Sequence, residues 1–283
     1  KHKIGDSFSE VFGLNDPIIE INITPNRSDC LSVRGIARDL HAAKIGKLKD
    51  LKIKKIKGDF ISQIKWLRKF DKKNEKLCPG VSGRLFKNVK NVESPEWLRK
   101  KLLAIGLRPI SALVDITNFI TFDLGRPLHV YDADKLNGNL CMRMSEQNEK
   151  CKTLDEKEYS LTSDMVVISD DSKLHGIGGV MGGLESGCSL NTTNVFLEVA
   201  LFDPISVTKT GRKLNLQSEA RYRFERGIDS TSIDWGVDKA TEMILELCGG
   251  EVSEITKDQI FVENEKIIKF DFHKTKQLGG IEI

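Results

Sequence analysis

Residues 195–202, VFLEVALF, restrict how this chain folds more than any other stretch. Seven of the eight are apolar, and the run has the length of a strand rather than of a helix. It therefore reads as a buried strand. Glu198 stands in its middle. Successive side chains of a strand point to opposite faces, so Glu198 points either into a cavity or into solvent. Glutamate is rarely buried unpaired, which makes this residue a candidate for chemistry.

The rest of the chain sets the bounds. With 283 residues it has length for roughly two domains. Apolar residues at 39% and charged residues at 30% fit a globular fold and exclude a disordered one. No apolar run approaches the ~18 residues of a membrane span. The first residue is Lys1 and no charged-then-apolar leader follows, so a piece of a longer cytoplasmic protein is expected. The six cysteines form no Cys-x-x-Cys pair and stand beside no histidine at ligand spacing. They are expected to be reduced apolar fillers, with no metal site. Between Lys44 and Lys76, thirteen Lys or Arg face four Asp or Glu, whereas the whole chain nets +3. The remainder is therefore acidic. A basic stretch attracts phosphates, but a solvated connector fits as well, and the acidic remainder argues against wrapping duplex nucleic acid.

Pattern gives the order of elements. PIIEINIT, 17–24, alternates like a strand before the turn pair Pro25-Asn26. Ser32 caps a helix through about Lys44. IKWLRKF, 64–70, predicts a half-buried strand. VSGRLFKNVKNV, 81–92, predicts another, and Ser94-Pro95-Glu96 a capped helix that Gly106 ends. ISALVDITNFITFDLG is a helix rich in β-branched residues, so its helicity rests on packing. From Asn139 short strands alternate with polar turns. Pro204 opens a helix through about Lys213, and 231–247 is amphipathic until Gly249-Gly250. IIKFDF, 267–272, alternates again.

HGIGGVMGG, 175–183, holds five glycines in nine residues. It lacks the Gly-Lys-[Ser/Thr] ending of a nucleotide-phosphate loop, and Met181 stands where a dinucleotide fingerprint needs its third glycine. The remaining readings are tight sheet packing or a wall of bare backbone that a ligand approaches closely. LVDITNFITFDLGRPLHVYDADKL, 113–136, concentrates Asp115, Thr117, Asn118, Asp123 and His129. The plain reading makes Thr and Asn helix-bending groups and His129 a satisfied, partly buried histidine. SEARYRFERGID, 218–229, reads mostly as an intramolecular salt-bridge ladder.

Together VDITNFI…GRPLH, GVMGG, LEVALFDP and SEARYRFERGID, with EINITPNRSDCLSVRGIARDL and CPGVSGR, resemble the family of bacterial phenylalanyl-tRNA synthetase beta subunits. The resemblance runs from about Asp16 to about Gly250. It implies an α+β fold of mixed sheets with packed helices. It also implies the end of an N-terminal structural domain at 1–50, an editing domain at 53–255 and the start of a following domain at 256–283. The implied activity is hydrolysis of tyrosine mistakenly attached to the tRNA for phenylalanine. The alternative is a non-catalytic tRNA-binding or subunit-scaffold module. Carried over by motif, the catalytic residues are His129, Thr117 and Asn118, and the substrate-binding residues are Glu198, Gly179, Ser218 and Ala220. Gly80 and Val81, where the family pattern has an arginine and an aromatic, and Arg221, where it has a small residue, depart from it. The implied partners are the tRNA, a separate alpha subunit in a heterotetramer, and phenylalanine or tyrosine esters. ATP and magnesium serve the complete enzyme, with no cofactor on this chain and no membrane contact.

An apolar synthetic site rejects an added hydroxyl by only about 10²-fold, so a second site must recognise that hydroxyl positively. A carboxylate accepting the phenol O–H does this. With no Ser-His-Asp or Cys-His arrangement evident, attack by water is expected.

Overall fold

The structure, a computed structural model, describes residues 3–12, 15, 17–260 and 267–282. Its N-terminal segment carries a short helix α1 (Phe8–Val11) and α2 (Val33–Ala42), where Ser32 Oγ accepts the Gly35 N–H at 2.9 Å as the cap. The strand expected at 17–24 does not form. Those residues are extended without a sheet partner, and Ile18, Ile19 and Ile21 are exposed. Alternation specifies a strand only where another element covers one face, and none of the described residues covers this one.

Strand β1 (Trp66–Lys69) is half-buried, as its pattern requires. β2 (Gly80–Gly83) and β3 (Leu85–Lys87) follow with a break at Arg84. Helix α3 (Glu96–Ala104) is capped at Pro95, one residue later than expected. Ser94 Oγ instead donates to Asp115 Oδ2 at 2.6 Å, and Asp115 also accepts the Ile110 N–H at 2.9 Å. α4 (Ala112–Leu124) ends on Gly125 at φ 74°, and its Ile116 and Ile120 are wholly buried. Burial thus overrides the weak helix propensity of its β-branched residues. β4 (His129–Asp132) follows directly. The polar-turn region forms β5 (Leu140–Met144), β6 (Lys150–Lys152), β7 (Glu158–Ser160), β8 (Val166–Ser169), β9 (Leu174–Ile177) and β10 (Met181–Gly182).

β11 (Val195–Leu201) is the apolar run with Glu198 in it. α5 (Pro204–Lys213) has Pro204 at its start and Asp203 accepting the Ser206 N–H at 2.7 Å. α6 (Glu219–Phe224) is capped by Ser218, and α7 (Ser232–Cys248) closes at Gly249. Two short strands, β12 (Glu251–Val252) and β13 (Thr256–Gln259), precede α8 (Phe272–Gly279). IIKFDF is not a strand: 267–271 lack regular structure, Phe272 opens α8, and Ile267, Ile268 and Phe270 are exposed.

Two main sheets result. One runs β1-β5-β8-β9-β10; the other runs β12-β3-β11-β2-β13, with β4 on the open side of β11. The two faces of β11 enter different cores. Phe196 and Ala200 pack with Tyr131, Trp66, Met142 and Ile168 on the side of the first sheet. Val195, Leu197 and Val199 pack with Ile116, Ile120, Val237 and Ile244 of α4 and α7. A strand covered by a sheet on one side and helices on the other reads as continuously apolar. The α+β class expected from sequence is the class observed. Among the described residues no helix is long and apolar enough to cross a membrane. The six cysteines are free thiols, five of them buried.

Candidate active site

Register brings the site together. In the antiparallel pair β4/β11, Glu198 lies opposite His129 and Phe196 opposite Tyr131. Directly opposed residues share a face, so Glu198, His129 and Tyr131 all project toward the core between the two sheets. There they line a cavity of about 70 Å³, together with Gly179, Met181, Gly182, Phe202, Ala220 and Phe224. The volume holds a water or two in a polar setting.

Glu198 is 7% exposed, so its carboxyl points inward and not into solvent. Burial pushes its pKa up to about 7, against a smaller opposing pull from the Tyr131 hydroxyl and the Arg126 charge. The Tyr131 hydroxyl donates to Oε2 of Glu198. Burial, reinforced by the Glu198 charge, raises the phenol well above its ordinary range, so Tyr131 stays protonated. Oε1 takes no hydrogen bond among the described residues. Arg126 lies in the loop before β4, wholly buried, with Nη2 donating to the Ala200 carbonyl at 2.5 Å and its Nε and Nη1 without a hydrogen-bond partner among the described residues. Desolvation brings its pKa down to about 9.

His129 packs edge-on against Tyr131, ring centroids 4.5 Å apart. Its Nε2 is buried without a partner among the described residues. Burial first, and the neighbouring His175 second, push its pKa down to about 4. At neutral pH it is an uncharged imidazole whose Nε2 can accept a hydrogen bond from water. Gly182 makes its place possible: a Cβ there would lie 2.4 Å from the imidazole Cε1. Gly179 adopts φ +69°, and a Cβ on it would lie 2.9 Å from Phe202 and Val207 side-chain atoms. The glycine stretch is therefore a tight turn that is also a cavity wall.

Of the expected residues, His129, Glu198, Gly179 and Ala220 converge on this cavity. Ser218 stands one step back. Its Oγ donates to the Val180 carbonyl at 2.5 Å and accepts the Arg221 N–H at 3.0 Å, tying α6 to the glycine turn. Thr117 and Asn118 do not line the cavity. Thr117 is buried on α4 and its Oγ1 donates to the Val114 carbonyl at 2.7 Å, the local bond a threonine makes inside a helix. Asn118 is half-buried on the same helix.

Sequence reasoning passed over Tyr131 and Arg126. LHVYD carries the signal for Tyr131, because alternation puts His129 and Tyr131 on one face once the segment is read as a strand. It also passed over the fully buried pair His175–Asp170, Nε2 to Oδ2 at 2.6 Å, behind Tyr131. Away from the cavity, Asp29, Cys30 and Asp39 present ligand-type atoms to one another. Arg27 binds all three, with Nη2 at 2.8 Å from Cys30 Sγ and 2.7 Å from Asp39, and Nε at 3.0 Å from Asp29. The group is an ion-pair cluster that sequence spacing did not show.

Residues 77–249 match the B3/4 domain family. Over 280 residues, 99% of this chain, the sequence is 50% identical to the phenylalanine–tRNA ligase beta subunit of Mesorhizobium japonicum. It is 48% identical to that of Rhodopseudomonas palustris over the same share. The chain spans 34% of the length of each of these relatives. An N-terminal fragment of the phenylalanyl-tRNA synthetase beta-subunit from Pyrococcus horikoshii overlays with a TM-score of 0.47 at 16% identity, covering 92% of this chain and 71% of that one. The chain belongs to the B3/4 domain family and is similar along almost all of its length to phenylalanine–tRNA ligase beta subunits.

Proposed function

We propose that this chain forms part of a phenylalanine–tRNA ligase beta subunit and hydrolyses tyrosine wrongly esterified to the tRNA for phenylalanine. One observation carries the reading: a buried carboxylate, Glu198, lies cross-strand from an uncharged imidazole, His129, on the wall of one cavity. A tyrosyl phenol donates to Glu198 and gains a hydrogen bond to a charged group, worth about 1.5–3 kcal/mol. Phenylalanine in its place leaves Oε1 of the carboxylate desolvated and without a donor, so the preference of the synthetic site is reversed. Gly179, whose N–H takes no backbone acceptor among the described residues, is the second donor or wall for the ring end. Ala220 leaves room for the ring, and Ser218 fixes the turn. His129 positions or deprotonates the attacking water at the ester.

The unit that does this is proposed to be 53–255, between the end of one domain and the start of another. The tRNA and an alpha subunit are its proposed partners, and ATP and magnesium are assigned to the complete enzyme. The size of the cavity favours a second reading. At about 70 Å³, with Tyr131 already on the carboxylate, it is tight for a tyrosyl ring, as a scaffold or tRNA-binding module without editing would show. Deacylation of preformed Tyr-tRNA by the intact enzyme decides between them. Hydrolysis that is lost in Glu198→Ala supports editing; hydrolysis equal to that of the unsubstituted enzyme removes Glu198 from the role, and no hydrolysis in either supports the scaffold.

A further inference from the structure

We propose that Tyr131 is a specificity-setting positioning residue: its hydroxyl holds Oε2 of Glu198, so that Oε1 alone is offered to the phenol of an incoming acyl group. The inference rests on the editing reading above. Three observations support it. The Tyr131 hydroxyl donates to Oε2, whereas Oε1 has no partner among the described residues and belongs to a residue that lines the cavity. The tyrosine ring cannot swing away cheaply, being 1% exposed and packed against His129 at 4.5 Å, Trp66 at 6.2 Å and His175 at 6.2 Å between ring centroids. Tyr131 also shares the face and the strand with His129, so one element orients both the acceptor and the imidazole.

A carboxylate with two free oxygens would rotate and accept a water or a phenol in several geometries. One oxygen pinned by a rigid phenol leaves a single direction for the second bond. The same hydrogen bond favours the ionised carboxylate that can only accept. The groups facing Glu198 are Arg126 from the loop before β4, His129 and Tyr131 from β4, and Cys78 from the segment before β2, with His175 of β9 behind Tyr131. Arg126 changes charge at about 9, His129 at about 4 and Cys78 at about 12, and the Tyr131 phenol well above its ordinary range. Among the groups lining the cavity, Glu198 is thus the one that titrates near neutrality, at about 7.

Tyr131→Phe removes one hydroxyl and keeps the packed ring, so the fold is retained. The test compares Tyr131→Phe with the unsubstituted intact enzyme on preformed Tyr-tRNA and Phe-tRNA across pH, alongside the titration of the Glu198 carboxyl assigned with Glu198→Gln. The expected result is a fall of about tenfold in the tyrosyl-over-phenylalanyl ratio of kcat/KM, carried mainly by KM for the tyrosyl ester. The carboxyl midpoint is expected to move up by about one pH unit. An unchanged ratio with an unchanged midpoint overturns the proposal. A ratio that rises also overturns it, since Tyr131 is then a plug that competes with substrate. If the unsubstituted enzyme hydrolyses no Tyr-tRNA, the editing reading fails by itself. The carboxyl midpoint then still decides whether Tyr131 holds Glu198: a rise supports the hold and no movement overturns it.

Discussion

Glu198 and His129 face each other across one strand pair, and burial moves their pKa values in opposite senses. Glu198 is raised to about 7 from an ordinary 4.5, so folding favours its protonated form. Its contribution to stability is complete below about pH 4.5 and is lost as pH rises through about 7. Glu198→Gln is therefore expected to raise Tm relative to the unsubstituted protein at pH 8 and to change it little at pH 4, while abolishing the preference for tyrosyl esters. Thermal melts at the two pH values check the first part. His129 is depressed to about 4 from an ordinary 6.5, which reverses the sign. Its contribution is complete above about pH 6.5 and is lost as pH falls toward 4. His129→Gln is expected to flatten that acid limb and to lower kcat for Tyr-tRNA by about 10²-fold or more, the range for loss of a general base. Glu198 and His129 were legible as single residues in the sequence. The phenol that binds the carboxylate was not, because Tyr131 meets Glu198 only through a register between strands 67 residues apart.

At the scale of elements, the glycine stretch matters through where it places bare backbone. Gly182 stands against the imidazole, and an added methyl would lie 2.4 Å from Cε1. Gly182→Ala is expected to displace His129 and to cut hydrolysis of Tyr-tRNA by about tenfold or more, with a loss of stability of about 1–3 kcal/mol from overpacking. Kinetics and denaturant unfolding of the same variant separate the two effects, and full activity would show that the glycine serves only the turn. Much of this level was readable beforehand. Ser32 caps α2, Pro204 opens α5 and Gly125 ends α4, because those residues act on backbone groups within a few positions of themselves. PIIEINIT and IIKFDF misled because alternation states which face could be buried and says nothing about whether anything covers it. Thr117 stands apart from the cavity: its hydroxyl is satisfied inside its own helix, a local option that the motif alone does not reveal.

Over the whole molecule, β11 is the shared wall between two cores, and the cavity lies on the side where the sheets meet. The apolar run announced that strand, but the layers on either side of it depend on long-range pairings that no local pattern encodes. Arg223 of α6 is one link between the N-terminal segment and this body, beside the packing of α2 on α4. Its Nε donates to the Leu31 carbonyl at 3.1 Å, and its guanidinium lies 4.6 Å from the Phe122 ring centroid. Arg223→Ala is expected to lower amide-exchange protection in α2 while leaving β11 protected, measured by hydrogen exchange followed along the chain. Equal protection in α2 would show that the anchor lies elsewhere.

The central claim is that the free oxygen of Glu198 receives a tyrosyl phenol while His129 faces the ester. The most direct measurement is a crystal structure of the chain with a non-hydrolysable tyrosyl-adenosine amide. The expected result is a widened cavity with the phenolic oxygen within about 3.2 Å of Glu198 Oε1 and the amide carbonyl beside His129 Nε2. A ligand seated elsewhere, or a ring in the cavity with its hydroxyl turned away from Glu198, contradicts the claim.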